Sequence, residues 1–148
     1  MKRIRIIRYI LIFIYTTTCI IGEAQPRRFK HLTSEDGISQ SEVYSFLKDS
    51  RGFVWFGTVD GLNRYDGYNV EVFNTKRNDE HTISNNTIRC LEEDQNGRIW
   101  IGTDDGLNVY DPETELFYQI TTSLKGDFKV WSLLILNGQL IFGTNNGL

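Results

Sequence analysis

The residues DSRGFVWFGTVDGLNRYD (49–66) return as DQNGRIWIGTDDGLNVYD (94–111), an offset of 45 with no gap. Identities include Asp49/Asp94, Gly52/Gly97, Trp55/Trp100, Gly57/Gly102, Thr58/Thr103, Gly61/Gly106, Leu62/Leu107, Asn63/Asn108, Tyr65/Tyr110 and Asp66/Asp111. A third, shorter copy, GQLIFGTNNGL (138–148), sits 41 residues beyond the second and has Ile141 in the tryptophan position. A period of 41 to 45 residues with four short strand candidates per unit is that of β-propeller blades. The expected fold is therefore all-β, an incomplete propeller of four-stranded antiparallel blades near residues 43–73, 88–120 and 130–148.

Within each unit the residues predict where the strands lie. First strands are expected over 43–47, 88–91 and 130–135, and second strands over 53–58, 98–103 and 140–144. Third strands are expected over 62–65 and 107–110, and fourth strands over 70–73 and 116–120. The second strands are nearly continuous apolar runs, the pattern of a strand covered on both faces. Asp-x-x-Gly separates strands one and two in the first two copies, and Asn137-Gly138 replaces it in the third. Both supply the positive φ that tight hairpins need. Such a blade cannot bury two apolar faces alone, so Trp55 and Trp100 are expected to fill the space between blades. Gly57 and Gly102 beside them allow close backbone approach. Trp131 falls on a first strand.

The rest of the chain sets limits. Of 148 residues, 40% are hydrophobic and 24% charged, an ordinary balance for one soluble domain and too apolar for disorder. A net charge of −3 argues against a nucleic-acid surface. Residues 1–24 have the layout of a signal peptide: Lys2, Arg3, Arg5 and Arg8, then an uncharged 9–21, then Gly22-Glu23-Ala24. The alternatives are an uncleaved anchor, or lipoprotein processing at Cys19, for which Thr16-Thr17-Thr18 is a poor lead-in. Cleavage after Ala24 removes four basic residues and Glu23, leaving 12 basic against 18 acidic residues in 25–148, a net −6. That stretch keeps only Cys90, which excludes an internal disulfide and suggests a buried, unreactive thiol.

Catalytic and metal patterns do not emerge, and no cofactor motif is found. There is no phosphate-binding loop ending in Gly-Lys-Ser/Thr. His31 and His81 lie 50 residues apart without ligand spacing. Serines 34, 39, 41 and 45 sit in no nucleophile elbow. Asp94-Gln95-Asn96-Gly97 has the start of a calcium loop but not its later ligands, so it reads as a hairpin turn. Asp104 and Asp105 read as solvated turn residues, with cation binding as the alternative. Asn85-Asn86-Thr87 fits a glycosylation sequon, but the basic n-region and small cleavage site of residues 1–24 suit bacterial export, where that pattern is usually accidental.

FKHLTSEDGISQSEVY (29–44), followed by DSRGFVWFGT (49–58) and DGLNRYDGY (60–68), resembles the start of the two-component regulator propeller family. The resemblance covers residues 29 to 148. It implies the periplasmic sensor region of a bacterial hybrid histidine kinase, whose members carry two propellers, a further β-domain, a membrane helix and cytoplasmic kinase, receiver and DNA-binding domains. None of those cytoplasmic parts is in this sequence, so no kinase activity is expected of the chain itself. Many members respond to oligosaccharides, which implies an oligosaccharide or other small ligand as partner. It implies no nucleic acid contacted by this chain and membrane attachment only through the rest of the full-length protein, and leaves a homodimer of the receptor open. Ile141 and the shortened third turn depart from the pattern.

A propeller binds at the end of its channel through the turns between strands two and three and the links between blades. Here these are 59–61, 104–106, 145–147, 74–86 and 121–128. Asp60, Asp104, Asp105, Asn145 and Asn146 are the candidate ligand contacts, because their carboxylates and amides can hydrogen-bond sugar hydroxyls. Three functions fit the sequence. One is ligand sensing for a signalling kinase. A second is a propeller lyase or glycosidase, which needs paired carboxylates or a His/Tyr set that the repeats do not show. The third is a non-catalytic protein-interaction propeller of the cell envelope.

Overall fold

Alternating apolar residues, turn glycines and β-branched side chains give ten strands and almost no helix in the computed structural model, which describes residues 30–121 and 128–147. The signal-peptide segment 1–24, residues 122–127 of the expected 121–128 link, and Leu148 lie outside the described residues. All ten strands belong to the compact unit that starts at Leu32.

The strands are β1 (Val43–Lys48), β2 (Val54–Thr58), β3 (Leu62–Tyr65), β4 (Val70–Phe73), β5 (Ile88–Glu93), β6 (Ile99–Thr103), β7 (Gly106–Asp111), β8 (Leu116–Ile120), β9 (Val130–Leu136) and β10 (Gln139–Thr144). They make two four-stranded antiparallel meanders, β1-β2-β3-β4 and β5-β6-β7-β8, and the hairpin β9-β10. β5 packs against both β1 and β9, so the first strands of successive sheets adjoin along one inner edge. This is the expected all-β blade architecture. The strand limits differ from expectation by a residue or two, chiefly because first strands run on into their hairpins.

The Asp-x-x-Gly turns build themselves. Asp49 Oδ1 accepts from the N–H groups of Arg51 and Phe53, and Asp94 Oδ1 from those of Asn96 and Arg98. Each carboxylate then takes the indole N–H of its own sheet's tryptophan, at 2.9 Å for Trp55 and 3.1 Å for Trp100. The turn aspartate thus fixes both the hairpin and the tryptophan rotamer. Asp94 is occupied by its own turn rather than by a loop of calcium-ligand form.

Trp55 is fully buried between the first two sheets, 5.1 Å from the Tyr110 ring and 6.0 Å from Phe73, with Leu62, Ile88 and Ile99 in the same core. Trp100 packs with Val130, Leu133 and Leu140 against the third sheet but is only half-buried. A Cβ on Gly57 would lie 2.7 Å from Ile88 Cγ2, and one on Gly102 would lie 2.7 Å from Val130 Cγ1. Those glycines let the next first strand come close.

The 74–86 link departs from expectation. It is only partly available at the channel end, because Thr82 and Ile83 are buried. Ile83 belongs to the core, and Ser84 donates its backbone N–H to Asn108 Oδ1 at 3.0 Å. The first sheet repeats the arrangement with Ile38 and Ser39, whose N–H reaches Asn63 Oδ1 at 2.8 Å. The signal is present in the sequence, as Ile-Ser recurs at offset 45. Buried Asn63 and Asn108 also donate to these serine hydroxyls, which sit 3.0 and 3.1 Å from Thr58 and Thr103 Oγ1. The network satisfies the buried polar groups and clamps each incoming link to its sheet.

Candidate ligand-binding end of the sheets

All three first strands are irregular at the same place. The ladder slips between Val43 and Ser45, between Ile88 and Cys90, and opposite Gly143 and Thr144. The extra residues are Tyr44, Arg89 and Trp131, one per sheet. A β-bulge leaves one residue out of the ladder and re-aims its side chain. Here the three side chains meet. The Arg89 guanidinium lies 5.1 Å from the Tyr44 ring centroid and 4.7 Å from that of Trp131, held between two aromatic residues that are 40% and 50% exposed.

The turn between β6 and β7 closes the cluster from the other side. Asp104 accepts from Arg89 Nε at 2.7 Å and Nη2 at 3.0 Å, and from Lys129 Nζ at 2.9 Å. Hydrogen bonding by Arg89, aided by Lys129, holds the Asp104 carboxyl down at about 2, against its ordinary 3.8. The same bond raises the Arg89 guanidinium. Asp104 is therefore not the solvated turn residue expected from the sequence. Its side chain is only 18% exposed, and it joins the second sheet to Lys129 at the entry of the third.

The remaining candidates lie on the equivalent turns. Asp60, Asp105 and Asn146 are exposed, and their backbone N–H groups donate to Thr58, Thr103 and Thr144 Oγ1, each at 3.0 Å. Their turns are fixed while their side chains face water. Asn145 Oδ1 accepts the Lys129 N–H at 2.7 Å. The β2–β3 and β6–β7 turns are also tied to the links, by Gly61 N–H to Asn86 O and Gly106 N–H to Phe128 O, both 2.8 Å. Sequence reasoning misses Tyr44 and Arg89 and leaves Trp131 unassigned. The available signal is their variation: Tyr, Arg and Trp occupy corresponding positions, as do Val59, Asp104 and Asn145, inside an otherwise repeated unit.

Cys90 follows Arg89 and packs against the Val130 carbonyl, 3.6 Å from its sulfur. Burial pushes its thiol up to about 12, so it stays protonated and inert. A surface depression of about 770 Å³ lies away from the cluster, between 76–81 and Tyr118–Gln119, and is open to solvent. It gathers no chemistry comparable to that of the bulged residues. Among the described residues no group of three or more His, Cys, Asp or Glu converges on a metal position. No helix among them is long and apolar enough to cross a membrane.

Comparison with known proteins places this geometry. Residues 37–60 and 82–105 each match the two component regulator propeller family. These two segments are therefore similar to regulator propeller repeats. Each match runs from the serine link through the tryptophan strand to the following turn, and the second includes Arg89 and Asp104. The propeller sheets resemble the extracellular domain of a B. thetaiotaomicron protein described as a hybrid two component system, with TM-score 0.70 and 26% identity over 80% of this chain. A second B. thetaiotaomicron extracellular domain, described as from a one component system, gives TM-score 0.60 at 26% identity over 80% of the chain. Histidine kinase P4 of Formosa agariphila is 41% identical over 56 residues, 38% of this chain. The chain spans 18% of the length of each of those structures and 4% of the kinase. The sheets thus resemble part of the extracellular domains of the two B. thetaiotaomicron proteins.

Proposed function

We propose that this chain is the amino-terminal part of the periplasmic ligand-sensing propeller of a hybrid two-component histidine kinase, and that its ligand is an oligosaccharide. The observation that carries this reading is the recurrence of the regulator propeller repeat on sheets like those of an extracellular hybrid-system domain. In this role the chain binds and does not catalyse. Asp60, Asp104, Asp105, Asn145 and Asn146 are proposed to border the ligand, since their turns share the end of the sheets where the bulged residues gather. The exposed carboxylates and amides of Asp60, Asp105, Asn145 and Asn146 on fixed turns suit sugar hydroxyls, while Asp104 borders the ligand through the cations it holds. Residues 1–24 are proposed to direct export and to be removed, so amino-terminal sequencing of the exported protein is expected to begin at Gln25. Calorimetric titration of the whole extracellular region with partial digests of soluble polysaccharides tests the ligand class. Saturable binding of at least one digest is expected. Absence of binding across all digests refutes the oligosaccharide reading and favours a protein-interaction propeller.

A further inference from the structure

We propose that the Tyr44–Arg89–Trp131 cluster, with Lys129, is a built subsite for an acidic sugar, one carrying a carboxylate or a sulfate. The proposal rests on the oligosaccharide reading above and adds the place and the charge.

Four observations carry it. The three ring and guanidinium side chains come from the same bulged position of three successive first strands, so the site belongs to the inner edge of the assembly rather than to one sheet. Two cations, Arg89 and Lys129, stand against the single Asp104 carboxylate within hydrogen-bond distance. Arg89 is fixed by two hydrogen bonds to Asp104 and by rings on both sides, so little ordering remains to oppose binding. Lys129 carries three ammonium donors, one of them toward Asp104, and its side chain is 45% exposed.

A purely structural role fits less well. Several packing positions keep their residue type in the first two sheets, as Trp55/Trp100, Gly57/Gly102 and Asn63/Asn108 show. The bulged positions change type from sheet to sheet. Tyr and Trp rings offer apolar faces to the C–H face of a pyranose, while the cations take the anionic substituent. A cationic ligand is disfavoured, because both rings already face a guanidinium and the carboxylate is already paired.

The test is titration of the whole extracellular region with trigalacturonate, a sulfated disaccharide and neutral maltotriose, using the parent, Lys129→Met and Trp131→Ala. Binding of trigalacturonate or the sulfated disaccharide is expected, weakening with added salt. A charged hydrogen bond lost with Lys129→Met corresponds to about tenfold or more in affinity. Thermal melts check that both variants remain folded, and Lys129→Met alters an exposed ammonium rather than the core. Acidic-sugar binding unchanged in both folded variants overturns the site. Binding of maltotriose alone, insensitive to Lys129→Met, overturns the acidic-sugar inference and leaves the oligosaccharide reading standing. If none of these three binds while a polysaccharide digest does, the inference also fails. If nothing binds, digests included, both fail.

Discussion

Replacing Asp104 by Asn tests the electrostatic joint between the second and third sheets. The carboxylate receives three charged contacts of 2.7 to 3.0 Å from Arg89 and Lys129. Its pKa falls from 3.8 to about 2, and one unit corresponds to about 1.4 kcal/mol, so the gross linkage is about 2 kcal/mol. Water reaches Lys129, whose side chain is 45% exposed, and screening brings the expected cost of Asp104→Asn at neutral pH to about 1–2 kcal/mol. The pH dependence has a definite sign. The folded pKa is depressed, so the unfolded chain binds more protons between the two values. The stabilisation is fully present above pH 3.8 and is lost as pH falls toward about 2. Urea unfolding followed by tryptophan fluorescence, at neutral pH and at steps through that window, measures the difference between parent and variant. The gap is expected to close as pH drops. A neutral-pH cost under about 0.5 kcal/mol, the size of an ordinary surface substitution, or a gap that does not change with pH, refutes the assignment.

The packing gives further expected outcomes. Trp55→Phe keeps most of the buried ring but removes the donor to buried Asp49, with an expected cost of about 1–3 kcal/mol in urea unfolding. Trp55→Ala is expected to cost about 3–5 kcal/mol in urea unfolding; a cost under about 1 kcal/mol would contradict the inter-sheet assignment. Gly57→Ala places a Cβ 2.9 Å from Ile88 Cβ and is expected to lower the melting point, with a cost of about 1–3 kcal/mol for forcing the sheets apart. Cys90 is expected to resist a thiol reagent near pH 8 in the folded protein and to react on unfolding, because burial holds its thiol at about 12; equal rates in both states would refute that burial.

The repeat makes the blades legible in the sequence because each sheet is local. Hairpins between neighbouring strands need a turn glycine, an aspartate to cap it and an apolar run on either side, all within about 30 residues, and 43–73 and 88–120 contain them in order. Trp55, Gly57 and Asn63 are legible for the same reason, since stacking identical units makes the same demand at the same place in each copy. The cluster at the end of the sheets is not. Tyr44, Arg89 and Trp131 lie 42 to 45 residues apart, and Asp104 and Lys129 are 25 apart. Only the side-by-side packing of the first strands, and the bulge in each, brings them within reach. The sequence can tell that Asp104 stands in a turn, but a turn carboxylate is solvated or paired according to which cations the neighbouring sheets deliver. That delivery is a long-range geometric fact, which no pattern along the chain encodes.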